Sequence, residues 1–488
     1  MRKRILVCLA ALLAAVAAHP AHAAASGPVQ IGFWCGPPPP FSTPAEFQRI
    51  AAAGFTFALP PCNMTPTVAE NQATLAAAAT TGVKVFVRDA RIPTSMSEPD
   101  AAARLDAVIA DYANQPALAG YDLADEPPET AFAGLGEVVA YLRARDPAHP
   151  AFVNVLPNYG PPSYDTYLER YATEAETAMF SFDFYPFTVY GDRDGFLPNL
   201  AAMRSLSLRH SRPFLEIGQA TPHLTYRQPS EAEKRWQVFQ SLAYGASGIS
   251  YFTYWSVALE GFGPGIVGPD GTPTPQYLEV QRINARAQAI GSHLVGARSV
   301  DVFQSPPDPA SVSPRRPGAA VDVTGDEPVT AGVFETDEHV YVLLVNGRTD
   351  AAISVTADLS FGATLPEELD PGSGMWSTVP ATPIGTVART PVTLDAGDGR
   401  LYRMAKPVPP GPLGAAAPGA PDPSQAGPGC PPGFSVDGFG RCGRSDPIAR
   451  TFSTTEASNP CSYIASGGSW ACVTAPGATP PPAAPPAG

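Results

Sequence analysis

Short apolar runs rich in β-branched and aromatic residues recur along the first half of the chain, and their starts lie 24 to 35 residues apart. Helix-like segments separate them, so the spacing is that of a repeated strand–helix unit. Eight such strands predict a (β/α)8 TIM barrel over residues 29–296. An open doubly wound sheet is disfavoured, because no glycine-rich phosphate turn follows the first strand. The predicted strands are Ile31–Cys35, Phe55–Pro60, Val83–Arg88, Leu118–Leu123, Ala151–Leu156, Ala178–Tyr185, Pro213–Gly218 and Gly248–Trp255.

Helix signals stand between these strands. Thr43 and Glu46 have the spacing of a capping box, with proline in the first turn. Ser230 and Glu233 repeat that spacing before an apolar segment. The signals therefore predict that helices begin at both places.

The sequence pattern changes after Gly296, where helix-like segments no longer separate the apolar runs. Short strands separated by turn residues predict an antiparallel β-sandwich over residues 297–405. Residues 406–429 are rich in Pro, Ala and Gly, which is typical of a semi-rigid linker. Residues 430–475 contain four cysteines and predict a small disulfide-rich module, and residues 476–488 form a second Pro/Ala-rich tail.

The first 23 residues have the layout of a secretory signal peptide. Basic residues at 2–4 precede the apolar run 5–18, and Ala21-His22-Ala23 fits the cleavage site. The apolar run is short for a membrane span, and no later stretch is long and apolar enough to be one. We therefore expect a secreted or periplasmic protein with no membrane span.

An oxidising compartment changes how the cysteines are interpreted. Cys35 and Cys62 follow the first two strands, and we expect a disulfide between them. Cys430, Cys442, Cys461 and Cys472 cluster near the end of the chain. Neither group has the spacing of a zinc site, so disulfides are favoured over metal.

The charge balance excludes one class of partner. The chain has 45 acidic and 31 basic residues, and its formal net charge is −14. Nucleic-acid binding needs clustered Lys and Arg to contact phosphates, and the sequence has no such cluster. We therefore expect no nucleic-acid partner.

Polar and aromatic residues collect where the predicted barrel strands end, which is where barrel active sites lie. They suit a carbohydrate, because sugar hydroxyls need paired donors and acceptors, while sugar rings stack on aromatic rings. A pair of carboxyl groups across such an opening suits cleavage of a glycosidic bond. The candidates are Arg88, Asp125, Glu126, Asn154, Asp183, Tyr185, Glu216 and Trp255.

Glutamates on the fourth and seventh strands, with a tryptophan ending the eighth, resemble clan A glycoside hydrolases, especially the family 42-like and cellulase-like barrels. The resemblance covers about residues 29–405. It implies a retaining glycosidase that hydrolyses O-glycosyl bonds, with Glu126 as acid/base, Glu216 as nucleophile and Trp255 in the floor of the sugar site. Substrate contacts are expected from Asp125, Arg88, Asn154, Asp183 and Tyr185. No cofactor or metal is implied, and the C-terminal module is a candidate contact with polysaccharide or a cell surface.

Two features depart from the clan pattern. Asp125 stands where the clan has asparagine, and an ionised Asp can only accept hydrogen bonds. Glu216 is followed by Gly218 and Gln219 in similar register, so it could lie inside the strand, short of the opening. In that case the nucleophile would be missing, or would be Asp183 or Glu260.

Two other functions remain open on the sequence. The adjacent Asp125 and Glu126 also suit a substrate-assisted hexosaminidase, in which Asp orients the acetamido group of the substrate and Glu is the acid. Alternatively, the barrel binds glycans without cleaving them.

Overall fold

We describe a computed structural model of the chain over residues 29–158, 163–306, 320–360 and 364–406, together with the backbone of four short strands beyond residue 407. The described residues up to 406 belong to one compact unit, and the four strands beyond residue 407 belong to a second. The predicted signal peptide, most of the linker, the tail and the cysteine side chains of the C-terminal module lie outside the described residues.

Among the described residues between 29 and 291, eight parallel strands alternate with eight α-helices, which confirms the predicted α/β class. The strands are β1 Gln30–Phe33, β2 Phe57–Ala58, β3 Lys84–Val87, β4 Leu118–Asp125, β5 Ala151–Asn154, β6 Phe180–Asp183, β7 Phe214–Gln219 and β8 Gly248–Phe252. The helices are α1 Pro44–Ala52, α2 Val68–Ala78, α3 Ala101–Tyr112, α4 Phe132–Arg145, α5 Tyr164–Arg170, α6 Phe196–His210, α7 Glu231–Ala243 and α8 Pro275–Gly291.

The predicted helix starts are present where the caps were expected. Thr43 caps α1 by accepting a hydrogen bond from the backbone of Glu46. Ser230 and Glu233 form a reciprocal capping box at α7. These bonds satisfy backbone N–H groups that a helix start would otherwise leave unpaired.

The parallel strands form two four-stranded sheets. One has the order β1-β8-β7-β6 and the other the order β2-β3-β4-β5. Backbone bonds join their outer strands: Val155 donates to Ser181 at 2.9 Å between the β5 and β6 segments, and Leu59 donates to Phe33 at 3.0 Å between the β2 and β1 segments. All carboxyl ends of the strands therefore meet at one edge.

The two faces of these sheets have different neighbours. The face that we call the inner face carries a buried cluster of Phe57, Phe86, Phe152, Leu215 and Ile217, which Trp34 joins. The other face packs on the helices through two larger clusters. Alternation along each strand therefore decides whether a side chain reaches the inner face or the helix layer.

Two antiparallel sheets follow the last helix. The six-stranded sheet has the order β9-β11-β12-β18-β14-β15, and the four-stranded sheet has the order β10-β13-β17-β16. Side chains from both sheets form one buried hydrophobic cluster. In chain order the strands are β9 Arg298–Ser305, β10 Val321–Thr324, β11 Val329–Glu335, β12 His339–Asn346, β13 Ile353–Ser360, β14 Glu367–Asp370, β15 Met375–Thr378, β16 Thr382–Ile384, β17 Val387–Leu394 and β18 Gly399–Ala405.

Helix α7 lies between the parallel and the antiparallel sheets and packs on both. The helix approaches β11 so closely that a Cβ atom at Gly332 would lie 2.3 Å from the carbonyl oxygen of Ala243. Arg286 and Asp398 form an ion pair at 2.8 Å across the same boundary. The C-terminal unit is described only by its backbone, as two-stranded pairs Ser435–Val436 with Cys442–Gly443 and Cys461–Ser466 with Ser469–Thr474.

The predicted disulfide between Cys35 and Cys62 is present, and it joins the segments that follow β1 and β2. None of the helices among the described residues is long and apolar enough to cross a membrane. The same part of the chain contains no group of three or more His, Cys, Asp or Glu side chains arranged to hold a metal ion.

We expect that replacing Cys35 and Cys62 with serine lowers the free energy of unfolding by about 3 kcal/mol, because the bond closes a loop of 27 residues. The shift in the midpoint of urea-induced unfolding measures this loss. Each single replacement should lose nearly as much as the double one, because either breaks the bond. Equal midpoints for wild type and all three variants would contradict the prediction.

Candidate active site

A cavity of about 360 Å³ lies at the carboxyl ends of the parallel strands. Its lining combines aromatic rings, one arginine and one carboxyl group, a mixture typical of sites for polar organic ligands. The principal lining residues are Trp34, Cys62, Asn63, Arg88, Asp125, Phe252 and Phe262. The cavity is therefore the candidate site.

The side-chain amide of Asn154 joins two of the carboxyl groups beside this cavity. Its Nδ2 donates to Asp183 Oδ1 at 2.7 Å and to Asp125 Oδ1 at 3.1 Å. Because one nitrogen lies at these two distances, the oxygens can be no more than about 5.8 Å apart. Ser181 donates to Asn154 Oδ1 at 3.0 Å, which fixes the orientation of the amide.

Glu126 stands next to this pair in an unusual backbone conformation. Its φ is +47°, in the left-handed region, which costs a residue other than glycine about 1–3 kcal/mol. Its N–H donates to Asn154 O at 2.8 Å, so the β4–β5 pairing extends to Glu126. The Tyr167 hydroxyl donates to the next carbonyl, that of Pro127, at 2.9 Å. These bonds hold Glu126 against the strain, and such strain often marks functional positions.

Burial raises the pKa values of all three carboxyl groups, and repulsion by neighbouring carboxyl groups adds to this for Glu126 and Asp183. Burial, and then the charge of Glu126, hold the pKa of Asp183 well above its usual range. Burial and the charge of Asp125 raise the pKa of Glu126. Burial also raises the pKa of Asp125, against the bond from Asn154. Asp125 and Glu126 keep contact with solvent at the opening, whereas Asp183 is 5% exposed. The cluster therefore retains protons at a pH where isolated carboxyl groups are ionised.

Arg88 lines the cavity and pairs with a fourth carboxyl group. Its Nε and Nη2 both contact Asp122 Oδ2, at 2.8 and 2.6 Å. Burial raises the pKa of Asp122 to about 6 despite this partner. Asp122 Oδ1 is buried and has no hydrogen-bond partner among the described residues. Asp122 is not among the residues predicted from the sequence, although it stands on the same strand as Asp125.

The structure brings most of the predicted site residues together. Arg88 and Asp125 line the cavity, and Glu126, Asn154 and Asp183 surround Asp125. Tyr185 does not line the cavity but packs behind Phe252, which does, with a distance of 5.4 Å between the ring centroids.

Trp255 does not line the cavity. Its ring packs on Phe41 at a centroid distance of 4.8 Å and belongs to the helix-facing cluster. The indole in the cavity is Trp34, which follows β1. The sequence signal for it was a tryptophan at the end of the first apolar run.

Glu216 is also turned away from the cavity. Its Oε2 accepts a hydrogen bond from Ser241 of α7 at 3.3 Å, and the residue is 1% exposed. Leu215 and Ile217, its neighbours on β7, reach the inner face instead. The structure therefore does not bring Glu216 together with Glu126, and this position does not favour the predicted nucleophile role. Glu260, the other predicted substitute, lies exposed in the loop after β8.

The last residue of β7 is an amide rather than a carboxyl. Gln219 Nε2 donates to the carbonyls of Phe187 and Arg227 at 3.0 and 2.7 Å. Its Oε1 accepts from the Phe187 N–H at 3.0 Å. Gln219 is thus fully engaged in holding two loops.

No protein-family model and no curated protein matches the sequence. Solved structures do match. A β-galactosidase from Bacillus circulans sp. alkalophilus has a TM-score of 0.56 at 9% identity, over 78% of this chain and 99% of that one. A catalytic mutant of a GH42 β-galactosidase from G. stearothermophilus has a TM-score of 0.53 at 9% identity, over 78% and 98%.

A β-galactosidase from the psychrophilic Marinomonas ef1 also matches, with a TM-score of 0.46 at 11% identity. That alignment covers 56% of this chain and 62% of the other. At these identities, the two matches with the higher TM-scores show that the chain shares the fold of these proteins.

Proposed function

We propose that this protein is a glycoside hydrolase whose proton donor is Glu126. One observation carries the proposal: Glu126 stands beside Asp125 and Asp183 at the carboxyl ends of parallel strands, next to a cavity with aromatic walls. A general acid must keep its proton until substrate binds, and the raised pKa of Glu126 favours this. The shared fold of the β-galactosidases agrees with the proposal.

The proposal includes a closed (β/α)8 barrel and a C-terminal β-sandwich. Backbone bonds at both pairs of outer strands support closure. Antiparallel sheets that share one hydrophobic cluster support the sandwich. In a closed barrel, the cavity occupies the position of barrel active sites.

The retaining route predicted from the sequence needs a second carboxylate on β7. Glu216 contacts Ser241 in the helix layer, and Gln219 ends the strand with an amide. We therefore keep Glu126 as the acid and leave Glu216 out of the proposed chemistry. Glu216 is instead a buried structural acid.

We also propose export by the signal peptide at 1–23, and contact of residues 430–475 with polysaccharide or a cell surface. The basic and apolar sequence of the first segment and the cysteine content of the second support these proposals. Both rest on sequence alone.

We expect Glu126→Gln to lower kcat by about 10²–10⁴-fold, because the amide cannot donate the proton that the leaving group needs. Release of sugar from a panel of polysaccharides and aryl glycosides measures the loss. Glu216→Gln is the matched control and should stay within a few-fold of wild type. Loss of activity in both variants would restore Glu216 to the mechanism, and a wild type that binds glycans without cleaving them would contradict the hydrolase.

The Asp125→Asn variant should shift the pH dependence of kcat. The charge of Asp125 raises the pKa of Glu126, so removing it lowers that pKa. The acid then loses its proton at lower pH, and the alkaline limb of the profile moves toward acid. Asp165→Asn, on the exposed surface of α5, is the control and should leave the limb in place. An unshifted limb in Asp125→Asn would separate Asp125 from the acid.

Glu216→Gln should also raise stability at high pH. Burial holds the pKa of Glu216 well above its unfolded value, so the folded state binds its proton more tightly. Wild type therefore loses stability as pH rises above about 4.5, the ordinary value, whereas the uncharged variant does not. The difference in melting temperature between the two should be small at pH 4 and favour the variant by several degrees at pH 8. A variant that is less stable at pH 8 would show that the ionised carboxylate is stabilising.

A further inference from the structure

We propose that the substrates are β-linked 2-acetamido sugars, and that the acetamido oxygen of the substrate, not a protein carboxylate, attacks the anomeric carbon. The inference rests on the proposed function and deepens it. It assigns the orienting role to Asp125 and a binding role to the indole N–H of Trp34.

The first argument is the distribution of carboxyl groups. Asp125 is the last residue of β4, Glu126 follows it directly, and Asp183 is the last residue of β6. The part of the cavity lining that β8 and its loop contribute is apolar, with Phe252, Leu259 and Phe262. A protein nucleophile would have to reach the sugar face opposite the departing group, and among the described lining residues that part of the lining offers none.

Asp183 is a poor substitute nucleophile. It is 5% exposed, and its Oδ1 already accepts a bond from Asn154. Burial and the charge of Glu126 raise its pKa, which disfavours the ionised form that a carboxylate nucleophile needs. Asp183 instead positions Asn154, and through it Asp125.

Asp125 is placed to hold an acetamido group. Asn154 bonds to Oδ1, so the second carboxylate oxygen is left to accept an N–H from a ligand in the cavity. An acetamido N–H held in this way turns its carbonyl oxygen toward the anomeric carbon. Glu126, the neighbouring residue, then stands on the side of the leaving group.

Trp34 supplies an independent observation. It lines the cavity at 5% exposure, and its Nε1–H is buried without a partner among the described residues. A buried donor without a partner is destabilising, and an acceptor on a ligand would remove that cost. The indole, Phe252 and Phe262 also offer an apolar surface for the acetamido methyl group.

The reaction balances without another reagent. The acetamido oxygen forms a bond to the anomeric carbon while the bond to the leaving oxygen breaks, and Glu126 gives that oxygen its proton. The product is an oxazolinium ion, whose N–H donates a hydrogen bond to the ionised Asp125 and whose positive charge that carboxylate balances. Water then adds to the anomeric carbon, giving one proton to Glu126, and the ring opens to restore the acetamido group. The oxygen attacks opposite the leaving group, so gluco- and galacto-configured substrates must be β-linked.

The charges also narrow the substrate class. Four carboxyl groups, Asp122, Asp125, Glu126 and Asp183, stand around one arginine, Arg88. A uronic acid would add a negative charge to this set. A neutral acetamido sugar avoids that repulsion.

The test compares 4-nitrophenyl N-acetyl-β-glucosaminide and N-acetyl-β-galactosaminide with the matching β-glucoside and β-galactoside. We expect kcat/KM at least 100-fold higher on the acetamido pair. Fluorination of the acetyl group should slow turnover stepwise, because fluorine weakens the attacking oxygen. Equal cleavage of the plain glycosides, or no effect of fluorine, would overturn the inference and leave the proposed hydrolase standing.

A binding measurement separates failure of the inference from failure of the proposed function. The stable thiazoline analogue of the oxazoline from N-acetylglucosamine should bind wild type by titration calorimetry. Asp125→Ala and Trp34→Phe should each weaken binding at least 10-fold, while Glu216→Gln should not, with melting temperatures checking that every variant folds. Binding with this pattern in a protein that cleaves nothing supports the acetamido site and refutes the hydrolase. No binding to wild type overturns the inference.

Discussion

The amide of Asn154 donates both of its hydrogens to carboxyl groups from different strands, Asp125 and Asp183. Two ionised carboxylates about 6 Å apart repel by about 3 kcal/mol at an effective dielectric constant near 20, and by less where solvent reaches one of them. The hydrogen bonds from Asn154 offset part of this repulsion, and the raised pKa of Asp183 favours the uncharged form, which relieves more of it. The position of Glu126 also depends on Asn154, because the backbone N–H of Glu126 donates to the carbonyl of that residue. Glu126 thereby adds a third carboxyl group to the pair.

The backbone around Glu126 shows how the fold holds an unfavourable arrangement. A left-handed residue at the end of β4 is tolerated because the β4–β5 pairing continues through its N–H. Tyr167 adds a second constraint, since its hydroxyl bonds to Pro127 O and accepts from the Leu156 N–H. The same rigidity keeps the carboxyl groups close instead of letting them separate into solvent.

The sequence predicted the eight strands, the capped helices and the cysteine pair, because each rests on local spacing. Of the cavity lining it predicted Arg88 and Asp125, but not the aromatic residues. It did not predict which face of β7 carries Glu216. Strands of a parallel sheet are buried on both faces, so Phe214, Leu215 and Ile217 are all apolar and the pattern does not separate inside from outside. Trp255 was predicted from the clan resemblance and its place after the eighth strand, and only tertiary packing shows that the cavity is lined by Trp34 instead.

The polar side chains of helix α7 explain why Glu216 and Gln219 of β7 do not reach the cavity, whereas Asp125 at the end of β4 does. The inward stripe of the helix is polar: Ser241 bonds to Glu216, and Gln237 bonds to the backbone of Gln219 in both directions. Its other side meets β11 at Gly332, so the antiparallel sheets limit any movement of the helix away from β7. A carboxylate at position 216 can therefore neither rotate toward the cavity nor gain solvent without disturbing three layers. The packing of α7 thus keeps this carboxylate in the helix layer, and that constraint is what leads us to propose that the ligand itself supplies the nucleophile.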